Sequence, residues 1–168
     1  MNFIALDFET ANARLSSICQ VGIVSFKDGS ISETYSSLVD PADFFDAMNV
    51  SIHGIDEAAV RGAPRFANVY PEILRRTENA VVACHSLFDR AALVQATEAI
   101  GLSCVTCQWL DTTRVVRRTW PQYARSGYGL ANVTRDFGIP FNHHDAAEDA
   151  RATGLVLLRA LQGIGTVS

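Results

Sequence analysis

The stretch IALDFET, residues 4–10, places two carboxylates in an otherwise apolar segment that is typical of a β-strand. Side chains alternate between the faces of a strand, so Asp7 and Glu9 share one face while Phe8 points to the other. The two acidic side chains leave the strand about 7 Å apart. In a partly buried site, raised pKa values or a bound cation must relieve their repulsion. The segment therefore predicts a strand whose acidic face holds either protons or a metal ion.

Length and composition favour one globular domain over residues 1–168. A hydrophobic content of 48% in 168 residues is enough for a packed core. No apolar run approaches the roughly 20 residues that span a bilayer, and the N-terminus does not resemble a secretory signal. We therefore expect no membrane association and a cytoplasmic location.

The four cysteines do not suggest a disulfide framework. Cys104 and Cys107 have the CxxC spacing of a metal site, but a second such pair and a paired histidine are missing from the sequence. We therefore favour a buried strand over a zinc site at this position.

The basic residues are concentrated in RVVRRTWPQYAR, residues 114–125, although the formal net charge of the chain is −4. That net charge argues against holding a long duplex by bulk electrostatics alone. The local cluster allows two interpretations. Its guanidinium groups could bind phosphates while Trp120 and Tyr123 stack on bases. Alternatively, the segment is an amphipathic helix with a solvated basic face.

The apolar patterns alternate between the periods of strands and helices. Asp28 and Gly29 indicate a turn between the second and third strands, which makes the first three strands antiparallel. The strands are predicted at residues 2–8, 18–26, 31–39, 80–84 and 104–110, and the helices around residues 71–76, 88–100, 112–119, 130–137 and 145–161. The order predicts an α/β fold whose mixed sheet has three antiparallel strands followed by parallel ones, with helices on both faces.

Further acidic residues lie where such a fold builds its sites. Asp89 follows the fourth strand, just beyond the carboxyl end where α/β folds bind ligands. At the last helix, Asp145 and Glu148 have the spacing of an N-cap and its N3 residue. His144 and Asp149 then occupy the N′ and N4 positions, where apolar side chains usually meet. An imidazole and a carboxylate at this pair of positions indicate a site rather than a helix end alone.

Three motifs resemble, in order and spacing, the signature motifs of the DEDDh branch of 3′-to-5′ exonucleases: DFET at 7–10, HSLFD at 85–89 and HDAAED at 144–149. The resemblance covers nearly the whole chain, since ICQVGI at 18–23 and SIHGID at 51–56 also look like family segments. Exodeoxyribonuclease X and the proofreading epsilon subunit of DNA polymerase III look most similar. The resemblance implies a ribonuclease-H-like fold.

The resemblance further implies that four carboxylates bind two divalent cations, namely those of Asp7, Glu9, Asp89 and Asp149. Hard oxygen ligands suit Mg²⁺ or Mn²⁺ rather than zinc, which agrees with this expectation. By the same resemblance, His144 is the general base that accepts a proton from the attacking water. His143 is the competing candidate.

Substrate contacts also follow from the resemblance. Thr10 and His53 are candidates for binding the 3′-terminal nucleotide, although His53 could equally be a turn histidine before a glycine. Phe8 is a further candidate, while its place on the opposite face of the strand favours the core. Ser86 stands where many relatives have asparagine. Because serine is smaller and has fewer donors, we expect the support of Asp89 and the nearby substrate contacts to differ from those of the relatives. His85 could support the same region.

The sequence therefore predicts a metal-dependent 3′-to-5′ exonuclease that releases nucleoside monophosphates from single-stranded or frayed DNA. An exoribonuclease would look almost identical, because no residue decides whether a 2′-hydroxyl is accepted. The rival from another class is a module that holds 3′ ends for a polymerase or repair partner and cuts little. A homodimer is also compatible with the resemblance.

Overall fold

The computed structural model describes residues 1–140 and 142–164. Five strands form one sheet: β1 (Phe3–Thr10), β2 (Ile18–Lys27), β3 (Ser30–Leu38), β4 (Val81–Cys84) and β5 (Gln108–Asp111). The helices described are α1 (Ala47–His53), α2 (Phe66–Thr77), α3 (Phe88–Ala99), α4 (Thr112–Thr119), α5 (Tyr123–Ser126), α6 (Leu130–Asp136) and α7 (Ala146–Ile164).

The sheet has the strand order β3-β2-β1-β4-β5. The first three strands pair antiparallel, and β4 and β5 run parallel to β1. This arrangement confirms the predicted mixed sheet. The carboxyl ends of β1, β4 and β5 therefore lie at the same edge, where the chain passes into the segments that carry the acidic residues.

Each face of the sheet is covered by a separate apolar layer. Leu6 and Phe8 point to the layer that includes residues of α2 and α3. Phe3 and Ala5 point to the opposite layer, which includes Ala150 and Leu157 of α7. Strand alternation thus turns Asp7 and Glu9 toward α7, while Phe8 is 3% exposed and belongs to the core.

One strand boundary was predicted wrongly, and two helices were not predicted. The strand predicted over residues 104–110 begins only at Gln108, because Val105 is buried by packing against the core rather than by strand pairing. Helix α1 was not predicted, since none of its residues is buried and it shows no apolar period. It is instead defined by its ends, the N-cap Asp46 and the left-handed Gly54. The short helix α5 was not predicted either.

The described residues contain no helix that is both long and apolar enough to cross a membrane.

Candidate active site

Three acidic side chains meet between the end of β1 and the first turn of α7. Carboxylate oxygens of Asp7, Glu9 and Asp149 all lie within 4.8 Å of one another. Asp149 is 4% exposed, and the other two are partly buried. The cluster lines a cleft of about 250 Å³, which is also lined by His85, Phe88, Leu130 and both histidines of the 143–144 pair.

The fourth acidic residue, Asp89, is the second residue of α3 and is 3% exposed. Its Oδ1 accepts a hydrogen bond from the backbone N–H of Phe8 at 3.0 Å. This bond joins the helix that follows β4 to the strand that carries Asp7 and Glu9. Phe8 therefore contributes its backbone amide to the site while its ring stays in the core.

Burial and mutual repulsion make this cluster reluctant to ionise. The pKa of Asp7 is raised well above its ordinary value by burial, then by the neighbouring Asp89 and Asp149. Burial, together with Asp149 and Asp89, raises the pKa of Glu9 to about 8. Burial raises the pKa of Asp89 to about 7, against the opposing effect of the Phe8 hydrogen bond. Such a set retains protons at neutral pH unless a cation is bound.

The start of α7 is placed by a cap and by a close approach to the sheet. Asp145 Oδ1 accepts hydrogen bonds from the N–H groups of Ala147 at 3.0 Å and Glu148 at 3.3 Å, as predicted for the N-cap. Glu148 forms an ion pair with Arg151 at 2.8 Å. Gln20 Oε1 accepts the N–H of Ala146 at 3.1 Å, which ties the helix to β2.

Gly22 makes that approach sterically feasible, a role that the sequence analysis missed. It is paired with Asp7 across β1 and β2. A Cβ at this position would lie 2.1 Å from the backbone carbonyl of Ala146, so only glycine fits beneath the start of α7. The glycine thereby lets Asp149 reach the carboxylates of β1.

The two histidines before α7 contact Asp149 in different ways, one through its imidazole and the other through its backbone. His143 Nδ1 lies 2.9 Å from Asp149 Oδ1, whereas His144 donates its backbone N–H to Asp149 Oδ2 at 2.8 Å. The expectation that the N′ imidazole contacts the N4 carboxylate is therefore wrong, because the backbone makes that contact. The rings stack with centroids 3.8 Å apart.

His144 adopts a left-handed backbone conformation with φ of 69°, which is uncommon for a residue with a side chain. Burial, followed by the neighbouring His143, lowers the pKa of its imidazole. The ring is therefore neutral at neutral pH, as a general base must be.

At the end of β4, His85 links the cleft to the segments that follow β5. Its Nε2 lies 2.9 Å from the carbonyl oxygen of Tyr128, which can only accept, so this nitrogen carries the hydrogen. Its Nδ1 lies 2.9 Å from Thr112 Oγ1. Burial lowers the pKa of His85, in keeping with a neutral ring. Next to it, Ser86 Oγ accepts the N–H of Phe88 at 3.2 Å and so supports the first turn of α3.

Thr10 and His53 meet at the end of β1. The carbonyl oxygen of Thr10 accepts from His53 Nε2 at 3.1 Å and from Asn49 Nδ2 at 2.9 Å. His53 Nδ1 accepts the N–H of Ile55 at 3.0 Å, which assigns the hydrogen to Nε2. The structure thus brings both predicted substrate residues together and adds Asn49, which lies on the unpredicted helix α1.

A larger groove of about 700 Å³ lies apart from these carboxylates. Its lining includes Asp40, Asp43, Phe44, Arg61 and Arg65. Its acidic and basic side chains partly neutralise one another, as in the pair of Arg65 with Asp40 at 3.3 Å. The acidic cluster is therefore the better candidate for catalysis.

The mixed five-stranded sheet, with acidic side chains gathered at the carboxyl ends of its strands, has the architecture of the ribonuclease-H-like class. The sequence model of the RNase T exonuclease family matches residues 4–157. The chain therefore belongs to this exonuclease family, which confirms the resemblance drawn from the three motifs.

Curated relatives include PolC-type DNA polymerase III of Thermotoga petrophila, 29% identical over 165 residues, which cover 95% of this chain and 12% of the polymerase. The PolC-type enzyme of Streptococcus thermophilus is 28% identical over 159 residues, which cover 92% of this chain and 11% of that protein. The chain thus spans about an eighth of the length of these relatives.

Two solved structures share the fold. Exonuclease X in complex with 5′-overhanging duplex DNA has a TM-score of 0.78 and 22% identity, covering 96% of this chain and 92% of that one. The nuclease domain of 3′hExo, a DEDDh family member bound to rAMP, has a TM-score of 0.79 and 16% identity, with the same coverage.

Proposed function

We propose that this protein is a metal-dependent 3′-to-5′ exonuclease that releases nucleoside 5′-monophosphates from single-stranded or frayed DNA. One observation carries the proposal: carboxylate oxygens from β1 and α7 converge within 4.8 Å, with Asp89 held beside them. This is the oxygen-rich donor set that divalent metal ions bind in phosphodiester hydrolysis.

The donor set fits two Mg²⁺ or Mn²⁺ ions, held by Asp7, Glu9, Asp89 and Asp149. The raised pKa values of Asp7 and Glu9 support this, because a bound cation offsets both the burial and the repulsion that raise them. When bound, a pair of such ions stabilises the attacking and leaving oxygens of a phosphodiester.

The protein's own groups supply positioning and proton transfer. From the spacing of the HDAAED motif, we assign His144 as the general base that accepts a proton from the attacking water. The lowered pKa of its imidazole is in keeping with this role. Thr10 and His53 lie at the end of β1, beside the carboxylates, where they would position the terminal nucleotide. Ser86 and the Phe8 amide support Asp89 in this scheme.

DNA is the proposed substrate because the curated relatives are DNA polymerases and one structural neighbour was solved with DNA. The same relatives suggest that the protein works beside a polymerase. An RNA substrate is the alternative, favoured by the structural neighbour described as recognising the 3′ end of a histone mRNA stem-loop.

The test is digestion of a 3′-overhang DNA oligonucleotide labelled at its 5′ end, with Mg²⁺ or Mn²⁺ and with EDTA. The proposal predicts a ladder that shortens from the 3′ end and is lost in EDTA and in Asp7→Ala and His144→Ala. A 3′-labelled copy checks the polarity, because it must lose its label in the first step. A circular single strand must stay intact, since cutting of circles would indicate an endonuclease.

A matched RNA oligonucleotide in the same reaction decides between the nucleic acids. Faster decay of the RNA would overturn the DNA assignment. If neither strand is shortened with either metal, the exonuclease proposal fails, and retained affinity for 3′ ends would favour the binding module.

A further inference from the structure

Four arginines lie within residues 114–125, on α4 and α5, and we call them the arginine surface: Arg114, Arg117, Arg118 and Arg125. All four are exposed. Residues three and four apart share one face of a helix, so the three on α4 project from the same side. The catalytic scheme does not use them.

The structure shows whether the aromatic rings of this stretch are accessible for stacking on bases. Tyr123 is 1% exposed, and Trp120 packs against Phe137 with ring centroids 4.7 Å apart. Both rings belong to the layer between α4, α6 and α7, in which Trp120 is only partly buried. The expectation of stacking on bases is therefore wrong for Tyr123, whose ring is not accessible. Tyr128 lies beneath the guanidinium of Arg117, 4.7 Å from its ring centroid.

The four side chains of the arginine surface form no ion pair, unlike most of the other arginines among the described residues. Elsewhere, arginines pair with carboxylates, as Arg76 does with Glu33 at 2.7 Å. Among the described residues, the arginines that form no ion pair are Arg61, Arg90, Arg114, Arg117, Arg118, Arg125 and Arg159. Four of these seven lie within 12 consecutive residues, so their mutual repulsion is not offset by the protein.

Nearby acidic groups are engaged in other contacts. Asp111 caps α4 by accepting the N–H of Thr113 at 2.9 Å, and Asp136 lies 3.6 Å from Arg135. The surface therefore presents uncompensated positive charge, which complements a polyanion.

A chain of contacts links the arginine surface to the catalytic cleft. Helix α4 follows β5, so it begins at the same edge of the sheet as α3 and its Asp89. His85 lines the cleft and contacts both Thr112, the first residue of α4, and Tyr128. Tyr128 in turn lies under Arg117.

We propose that the arginine surface binds the phosphate backbone of the substrate strand on the 5′ side of the nucleotide being removed. This inference rests on the proposed function and extends it to a second contact region. Guanidinium groups hold phosphates in a bidentate fork, and contacts to phosphates carry no base preference. Binding there is expected to depend on strand length and salt but not on sequence.

The test compares Arg114→Gln/Arg118→Gln with Arg61→Gln/Arg159→Gln, which removes two other unpaired arginines. Binding of a labelled 15-nucleotide single strand is followed by fluorescence anisotropy in EDTA across a salt series. Hydrolysis of this strand and of a dinucleotide is then measured with Mg²⁺. Equal melting temperatures establish that both variants fold.

For Arg114→Gln/Arg118→Gln we expect the slope of log affinity against log salt to become shallower by about 1.4, because each phosphate contact on a single strand contributes about 0.7. The KM for the 15-nucleotide strand should rise about tenfold, as the loss of two exposed charge contacts implies. Hydrolysis of the dinucleotide and kcat should not change. The control variant should match the wild type in all three measurements.

Three results would overturn the inference. Equal effects of the two variants would show that only the net charge of the protein matters and not the position of these arginines. A loss of dinucleotide hydrolysis would place the arginines at the cleft instead of upstream of it. A stronger effect on a blunt duplex than on the single strand would assign the surface to duplex DNA. If the wild type hydrolyses neither substrate, the proposed function fails, while the salt slope still tests the surface separately.

Discussion

His143 Nδ1 lies 2.9 Å from Asp149 Oδ1, whereas His144 contacts the same carboxylate through its backbone N–H and not through its imidazole. Asp149 is thus held by two successive residues through two different kinds of donor. The spacing of the family motif is the ground for our proposal that His144 is the general base, whereas the imidazole that contacts Asp149 is that of His143. Mutation of each histidine separates these two roles.

We expect His144→Ala to lower kcat by about 10² to 10⁴, the usual contribution of a general base. His143→Ala should cost less, because it removes a contact to Asp149 and leaves the base in place. Single-turnover hydrolysis of the oligonucleotide at saturating Mg²⁺ measures both. A larger loss in His143→Ala than in His144→Ala would transfer the role of base to His143.

The metal-free protein should lose stability as the pH rises. Folding raises the pKa of Glu9 to about 8 and of Asp89 to about 7. The folded state then binds more protons than the unfolded state above pH 4 or so, where unfolded carboxyl groups ionise. The contribution of protonated Glu9 and Asp89 to the free energy of unfolding is therefore complete below about pH 4 and disappears as the pH approaches 8. Urea unfolding in EDTA between pH 5 and 9 measures this decline.

Mg²⁺ should raise the melting temperature more at pH 8.5 than at pH 5.5, because the cation binds the ionised carboxylates. Glu9→Gln is the matched control. It should be more stable than the wild type in EDTA at pH 8.5, since it removes one member of the repelling set, and it should respond less to Mg²⁺. An equal Mg²⁺ response at both pH values would contradict a metal site at these carboxylates.

We expect Gly22→Ala to reduce both activity and stability. The added Cβ would meet the Ala146 carbonyl carbon at 2.1 Å, so the start of α7 must move away from Asp7 and take Asp149 with it. Overpacking of this kind costs about 1 to 3 kcal/mol. Thermal unfolding and the Mg²⁺ dependence of hydrolysis measure the two effects.

Gly154→Ala provides the control for Gly22→Ala. Its Cβ would meet the Phe26 ring at 2.0 Å, under the same helix but about one and a half turns beyond Asp149. This variant should lose stability while its folded fraction keeps the wild-type Mg²⁺ dependence. If both variants need the same extra Mg²⁺, the displacement of Asp149 is not the cause.

Asn49→Ala and His53→Ala should each lower the free energy of unfolding by about 1 kcal/mol, because each removes a donor to the Thr10 carbonyl. Since we expect only His53 to meet the terminal nucleotide, only His53→Ala should also raise KM. Steady-state hydrolysis of the oligonucleotide compares the two. An equal rise in KM for both variants would indicate that they act only through Thr10.

Several features of the site could be predicted from short-range patterns. The alternation in IALDFET places Asp7 and Glu9 on one face, and the spacing of Asp145 and Glu148 sets the start of α7, as the cap hydrogen bonds bear out. Both patterns depend only on residues adjacent in the chain. The three motifs, in order, were then sufficient to predict the family.

Sequence alone thus determined the mixed sheet, the positions of the acidic residues along it and the exonuclease family. Tertiary structure decided which groups meet: the backbone of His144 against Asp149, Gly22 beneath Ala146, and the rings of Trp120 and Tyr123 against the layer between α4, α6 and α7. Some of these contacts join residues that are distant in the chain. In the case of His144, the backbone conformation decides whether the imidazole or the N–H group faces Asp149. Local periodicity carries no information about such contacts, because packing between elements selects them.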